Sequence, residues 1–202
     1  MDKILLLSSI ITLSLAGTYA HASEEGDAGN NVLFGTGAGA SLDGTGINNT
    51  FVGLTAGLNN TTGDRNVFLG LQAGYFNTTG TSNVFLGGSA GLNNTTGSFN
   101  IFSGDQAGYF NTTGSSNVFS GQEAGFSNTT GYNNVFSGFQ AGKYNTTGSY
   151  NIFSGAYAGF FNTTGINNIF SGVQAGFNNT TGRDNIFSGD SAGNSNITGS
   201  YN

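Results

Sequence analysis

The sequence predicts an all-β chain: a parallel β-solenoid, or β-roll, of about ten coils with 17 residues in each coil. Three observations carry that prediction. From Asn49 to Tyr201 one phrase recurs nine times without a gap: Asn-(Val/Ile/Thr)-Phe-(Leu/Ser/Val)-Gly-x-x-Ala-Gly-x-x-Asn-Thr-Thr-Gly-x-x, with Ile197 replacing the first Thr in the last repeat. Phe stands at 51, 68, 85, 102, 119, 136, 153, 170 and 187, each followed by Ala five residues later and Asn nine later. A fixed period in this range marks structural units that stack on their neighbours. Three Gly in each period and no 3.6-residue apolar stripe oppose a helix.

The elements follow in chain order. Lys3, the apolar run Ile4 to Leu15 and the small-residue site Ala20-His21-Ala22 read as a secretory signal peptide over residues 1–22. The run is shorter than the roughly 20 apolar residues that span a bilayer. No later segment comes closer, so no direct membrane span is expected. Residues 23–30 form an acidic, small-residue leader, expected to be flexible. Residues 31–48 are a degenerate repeat of 18 residues, in which Asn31, Gly35 and Ala38 match but Leu42-Asp43-Gly44 replaces Asn-Thr-Thr. An atypical terminal repeat is what a capping coil looks like. Residues 49–202 are the nine-repeat solenoid, and Asn202 opens a tenth repeat. A chain that ended there would leave an open edge, able to associate with another.

Within a repeat, Asn-Val-Phe-Ser-Gly reads as a short strand, and the three Gly supply positive-φ corners. A second strand is expected through the aromatic pair and Asn-Thr-Thr, for example Tyr75-Phe76-Asn77-Thr78-Thr79. One strand spacing per coil, about 4.8 Å, gives a rod of roughly 43 Å for nine coils. Val67 and Phe68 are adjacent, so in a strand they point to opposite faces. Phe68, Phe85, Phe102, Phe119, Phe136, Phe153 and Phe170 then form the core column. The Val/Ile column faces outward, joined by Leu69 and Leu86 and later by Ser. So thin a coil buries little by itself, and a continuous outward apolar column is naturally covered by further copies. A homo-oligomer is expected, with a parallel homotrimer as first choice.

Asn opens every repeat, as at Asn66, Asn83 and Asn100, and reads as an asparagine ladder in which each amide bonds to the one above. The Asn-Thr-Thr triplets match the N-glycosylation pattern N-x-S/T, but their lock to the period makes a turn-side polar ladder the first explanation. The first threonines, Thr78, Thr95, Thr112, Thr129, Thr146, Thr163 and Thr180, also form a rank at strand spacing that suits a repeating lattice such as ice or crystalline polysaccharide. They are the candidate surface-binding residues. The aromatic pairs vary between coils, from Tyr75-Phe76 and Tyr109-Phe110 to Leu92-Asn93. Two readings stand: rings packed between coils or protomers, or an exposed strip for glycans or another apolar surface.

The composition argues against other classes. There is no Cys and no Pro, charged residues are 7% of the chain, and the net charge is −6. Arg65, Lys143 and Arg183 are too few and too scattered to track a phosphate backbone, so nucleic acid is not an expected partner. The sole His is His21, and Asp64, Asp105, Glu123, Asp184 and Asp190 fall in different columns or on distant turns. No pair suits acid–base work and no nucleophile has a base, so no enzyme and no cofactor are expected. The Asp on nearly every turn that a calcium-binding roll requires is absent, so no metal is expected.

The phrase Asn66-Val67-Phe68-Leu69-Gly70-Leu71-Gln72-Ala73-Gly74-Tyr75-Phe76-Asn77-Thr78-Thr79-Gly80 resembles repeats of bacterial surface and tail-fibre-type proteins. In many of those, such runs precede a C-terminal intramolecular chaperone domain. The Asn-x-x-x-Gly-x-x-Ala core is also similar to the head repeats of trimeric autotransporter adhesins, which are parallel β-rolls wound as trimers with a shorter repeat. The resemblance implies a secreted or cell-surface adhesin, at the cell outer membrane and linked to virulence, with a host or environmental glycan or matrix surface as partner. No coiled-coil stalk, anchor barrel or chaperone domain is recognisable in the sequence, so attachment and assembly do not carry over. The functional expectation is a rigid β-roll for multivalent adhesion. The alternatives are an ice- or lattice-binding protein that uses its Thr rank, or the subunit of an extracellular filament.

Overall fold

The computed structural model describes residues 29–202 and, as backbone alone, residues 20–22. The expected signal peptide and leader lie outside the described residues, apart from that short backbone segment and residues 29–30. Short strands form one sheet in chain order: β1 (Ala20–Ala22), β2 (Val32–Phe34), β3 (Thr50–Val52), β4 (Val67–Leu69), β5 (Val84–Leu86), β6 (Ile101–Ser103), β7 (Val118–Ser120), β8 (Val135–Ser137), β9 (Ile152–Ser154), β10 (Ile169–Ser171) and β11 (Ile186–Ser188). From β2 to β11 all neighbours are parallel, whereas β1 lies antiparallel on the outer edge of β2. No residue described is helical.

Each strand residue pairs with its equivalent one repeat later: Val67 with Val84, Phe68 with Phe85, Leu69 with Leu86. The degenerate segment makes the same lap, and its extra residue appears as the pairing of Val32 with Thr50. The chain is therefore a β-solenoid whose coils are single repeats. Alternation along the strand turns Phe inward and its neighbours outward. Phe51 to Phe170 are fully buried, as are Ala56 to Ala175 in the facing column. The Phe rings stack at 4.8 Å, with 5° between planes for Phe85 and Phe102, so the core is a continuous aromatic pile one strand spacing per ring. The glycine after each Ala lies against the ring, as Gly74 does against Phe68, where a Cβ would strike it.

The second expected strand is not formed. Between Gly70 and Asn77 the chain folds into consecutive turns, with Ala73 N donating to Gly70 O, Tyr75 N to Gln72 O and Asn77 N to Gly74 O. The intervening N–H groups reach other coils: Gly74 N to Ala90 O, Phe76 N to Leu92 O and Thr78 N to Thr95 O, each at 2.9 Å. Alternate amides thus close the turn and tie the stack. The chain keeps these backbone hydrogen bonds without an extended conformation.

The corners also differ from expectation. Gly70 and Gly74 do have positive φ, at 140° and 60°. The third glycine column does not: Gly80 is needed because a Cβ there would strike Asn77 Oδ1 and the Gly97 carbonyl. The remaining left-handed positions are filled by residues with side chains, such as Gln72 at 56° and Ser82 at 56°. The stack fixes these conformations by taking their N–H groups, as when Gln72 donates to Leu54 O and Ser82 to Asp64 O.

Candidate functional site

Polar columns hold the lap shut from inside. The repeat-opening asparagines, from Asn49 to Asn185, are buried. Their contacts differ from a simple chain of amides. Asn66 Oδ1 accepts the backbone N–H of Asn83 at 2.9 Å, and Asn66 Nδ2 donates to Gly80 O at 2.9 Å. Amide-to-amide bonding belongs mainly to the other column: Asn77 Nδ2 donates to Asn60 Oδ1 at 2.6 Å and to Gly80 O at 3.0 Å. Two amides of one coil, eleven residues apart in the chain, therefore meet on the Gly80 carbonyl. No buried side-chain polar atom among the described residues lacks a partner. The Asn of each triplet from Asn60 to Asn179 is buried, and from Asn77 onward its Nδ2 makes two bonds, so an N-linked glycan there is incompatible with this fold.

The candidate Thr rank is brought into one line, with most of its donor capacity engaged. Thr78 Oγ1 donates to Thr95 O at 3.0 Å, and Thr95, Thr112, Thr129, Thr146 and Thr163 repeat the bond one coil on. Thr180 donates to Ile197 O. These side chains are half-buried, and each hydroxyl offers a ligand its oxygen but no free proton. The exposed rank is the next residue, Thr79, Thr96, Thr113, Thr130, Thr147, Thr164 and Thr181, which sequence reasoning passed over. Nothing in the repeat distinguishes the two threonines. Only the direction of the corner at Asn77 does.

Beside the inner Thr rank lies a groove of about 710 Å³. Phe76 and Phe110 stand along it with Asn59, Asn93 and Ser127 between and beyond them, and Thr78 to Thr129 form its other side. The rings are braced. Phe76 meets Tyr75 at 74° and 4.6 Å, and Phe110 meets Tyr109 at 75° and 4.7 Å. Both rings remain exposed, at 43% and 44%. Both readings of the aromatic pairs are realised: Tyr109 stacks on Phe126 of the next coil at 5.1 Å, and Phe110 meets the same ring edge-on at 5.2 Å while staying 44% exposed.

One small charged cluster, at Glu123 and Lys143, lies outside the groove. Lys143 Nζ lies 2.6 Å from Glu123 Oε2, which also accepts Gln140 Nε2 at 2.7 Å. The Lys143 bond holds the Glu123 carboxyl below its ordinary value, aided by Gln140 and opposed by partial burial. Lys143 also sits 5.7 Å from the Phe126 and Tyr144 rings. The Asp and Glu residues named as scattered stay so: no group of three or more His, Cys, Asp or Glu among the described residues is placed to hold a metal. No helix among them is long and apolar enough to cross a membrane.

No family model matches the chain, and no curated protein or solved structure matches it either.

Proposed function

We propose that the chain is a secreted or cell-surface structural and adhesive protein, whose rigid rod displays repeated weak contacts so that avidity replaces single-site affinity. One observation carries this reading. The core Phe, Ala and both Asn columns, which recur in every coil, point inward, while nearly all positions that vary from coil to coil are partly or fully exposed, as is the invariant Thr79 rank. The interior is thus committed to closing the coil, and the chain's chemical individuality lies on its surface. The secretory reading of residues 1–22 and the resemblance to surface and tail-fibre repeats support the same location. The partner is a host or environmental glycan or matrix surface. Beads coated with the chain are expected to adhere to cells or matrix in proportion to coating density. Beads that adhere no better than albumin-coated ones at any density would remove the adhesive role.

Assembly as a homotrimer belongs to this proposal. The outward column Val135, Ile152, Ile169 and Ile186 is more than 40% exposed in the single chain, a line of β-branched side chains that further copies would cover.

The exposed Thr79 rank favours a second reading, a soluble binder of an ordered lattice such as ice. Against it, the half-buried inner rank has donated its hydroxyl protons, and the protruding Phe76 and Phe110 stand next to that rank. Thermal hysteresis that disappears on replacing Thr113, Thr130 and Thr147 with Tyr would establish the lattice reading. Absence of hysteresis in the parent chain would exclude it.

A further inference from the structure

We propose that the groove flanked by Phe76 and Phe110 is a binding site for an uncharged, extended β-linked polysaccharide running parallel to the rod axis. The proposal rests on the adhesion reading and names the partner class and the place.

The lining is mostly apolar with a few convergent polar groups and no ionisable side chain, which suits a neutral ligand rather than an acidic or basic one. Its size lies within the usual range for ligand sites. The repeat supplies the geometry. Exposed rings occur at alternate coils, Phe76 and Phe110, a separation of about 9.6 Å at one strand spacing per coil. Small polar residues fill the coils between and beside them: Asn59, Asn93 and Ser127.

An extended β-linked chain of pyranoses has the complementary alternation. Each sugar is about as long as one coil is high, and successive rings turn over, so the same apolar C–H face recurs at every second sugar. Faces stacked on Phe76 and Phe110 leave the intervening sugars to bond with Asn93 and its neighbours. Asn59 Nδ2 and Asn93 Nδ2 are anchored on Tyr75 O and Tyr109 O, each at 3.0 Å, which fixes both amides and leaves their Oδ1 atoms as acceptors for sugar hydroxyls. The aromatic bracing of both rings means little side-chain freedom is lost on binding. One end of the groove is also defined. Beyond Ser127 the same column carries Tyr144 and Phe161 on consecutive coils, stacked on each other at 5.4 Å, so the ring–gap–ring pattern ends there. The site spans about five coils and holds about five sugars.

The test is calorimetric titration of the full chain with cello- and chito-oligosaccharides of increasing length, with malto-oligosaccharides, whose α-linkages coil the chain, as control. Binding to one β-linked series is expected to strengthen with length and level off at about five sugars. Joint replacement Phe76→Ala and Phe110→Ala is expected to weaken binding by about tenfold or more, the scale of two lost ring contacts. Asn93→Phe, which fills the gap between the rings while leaving both in place, is expected to abolish it. Phe139→Ala, an exposed ring away from the groove, should leave it unchanged, and circular dichroism of each variant reports the fold. No β-linked binding, equal binding of malto-oligosaccharides, or binding unaffected by Asn93→Phe overturns the proposal. So does a groove found occupied by a second copy, seen as an oligomer that the Phe76 and Phe110 replacements dissociate. Adhesion of beads that survives Asn93→Phe would leave the adhesive role standing with this site removed from it. Oligosaccharide binding by a chain whose beads do not adhere would do the reverse.

Discussion

Asn77 donates its amide to Asn60 one coil away at 2.6 Å and to Gly80 in its own coil at 3.0 Å, so one buried side chain both closes a lap and joins it to the next. Repeated along the rod, this pair of bonds makes the interior of a very thin coil partly polar without leaving a buried side-chain polar atom unpaired among the described residues. A coil with a single Phe and a single Ala inside has little apolar area to bury. The amide columns supply the remaining closure, and they do so with fixed geometry.

Breaking the column in mid-rod is expected to be expensive. Asn111→Ala leaves Asn94 Oδ1 without its partner and removes one bond each from the Gly114 carbonyl, which keeps Asn100 Nδ2, and from Asn128 Nδ2. At about 1–3 kcal/mol for the unsatisfied Asn94 oxygen and about 0.5–1.5 kcal/mol for each of the other two lost bonds, a loss of about 2–5 kcal/mol is expected. Urea denaturation followed by circular dichroism measures it. A loss below about 1 kcal/mol would show that the amide column does not hold the coil.

Truncation of the ring column should depend on position. Phe119→Ala empties a fully buried site between two stacked rings and is expected to cost about 3–5 kcal/mol. Phe187→Ala, at a ring only partly buried and stacked on one neighbour, should cost clearly less. Contacts run only between adjacent coils, so the central variant is also expected to split the unfolding transition into two. A single shared transition with equal losses for the two variants would contradict this.

Replacing Gly114 with Ala tests the third glycine column. The backbone there does not require glycine, but a Cβ would strike Asn111 Oδ1 and the Gly131 carbonyl. Destabilisation of about 1–3 kcal/mol is expected from the overpacking. Gln106→Gly makes a useful contrast, because Gln106 holds a φ of 56° that glycine adopts without strain. That substitution should be neutral or stabilising by up to about 1 kcal/mol.

The Glu123–Lys143 pair predicts a weak pH dependence. Because the carboxyl titrates lower in the folded chain than its ordinary value of 4.5, its contribution is present above that value and is lost as pH falls through the folded one. The pair is partly exposed, so the effect is small, about 1 kcal/mol or less. Glu123→Gln should flatten the stability profile below pH of about 4 and leave the rest of it unchanged in shape. Thermal melts of both chains across that range decide the matter.

The proposed trimer makes its own prediction. Ile152→Asp places a charge in the middle of the outward Val/Ile column, where the side chain is 46% exposed and structurally unneeded by the single coil. Sedimentation velocity should show the parent chain as a trimer and the variant as a folded monomer. A parent chain that sediments as a monomer would refute the assembly.

Much of this architecture was legible in the repeat. The spacing of Phe68 and Phe85 identified the residues that stack, and the adjacency of Val67 and Phe68 separated inside from outside. The uniform Asn at 66 and 83 signalled a buried polar column. Less was legible about the Thr78–Thr79 pair, where identical residue types leave no pattern to read. The left-handed Gln72 was hidden for a related reason: its column contains Thr, Gln, Ser, Glu and Tyr, with no glycine to advertise the conformation.

The sequence alone determined the period, the core column and the identity of the residues in each line, because a strict repeat forces equivalent side chains to lie over one another once the coils stack. The tertiary structure decided the path within each lap. It replaced an expected second strand by consecutive turns, sent the Asn66 amide to the Gly80 carbonyl instead of up its own column, and turned Thr79 rather than Thr78 to solvent. Those outcomes depend on how one lap closes around its Phe ring and satisfies its own amides. That is a condition on three-dimensional geometry, which a one-dimensional period does not contain.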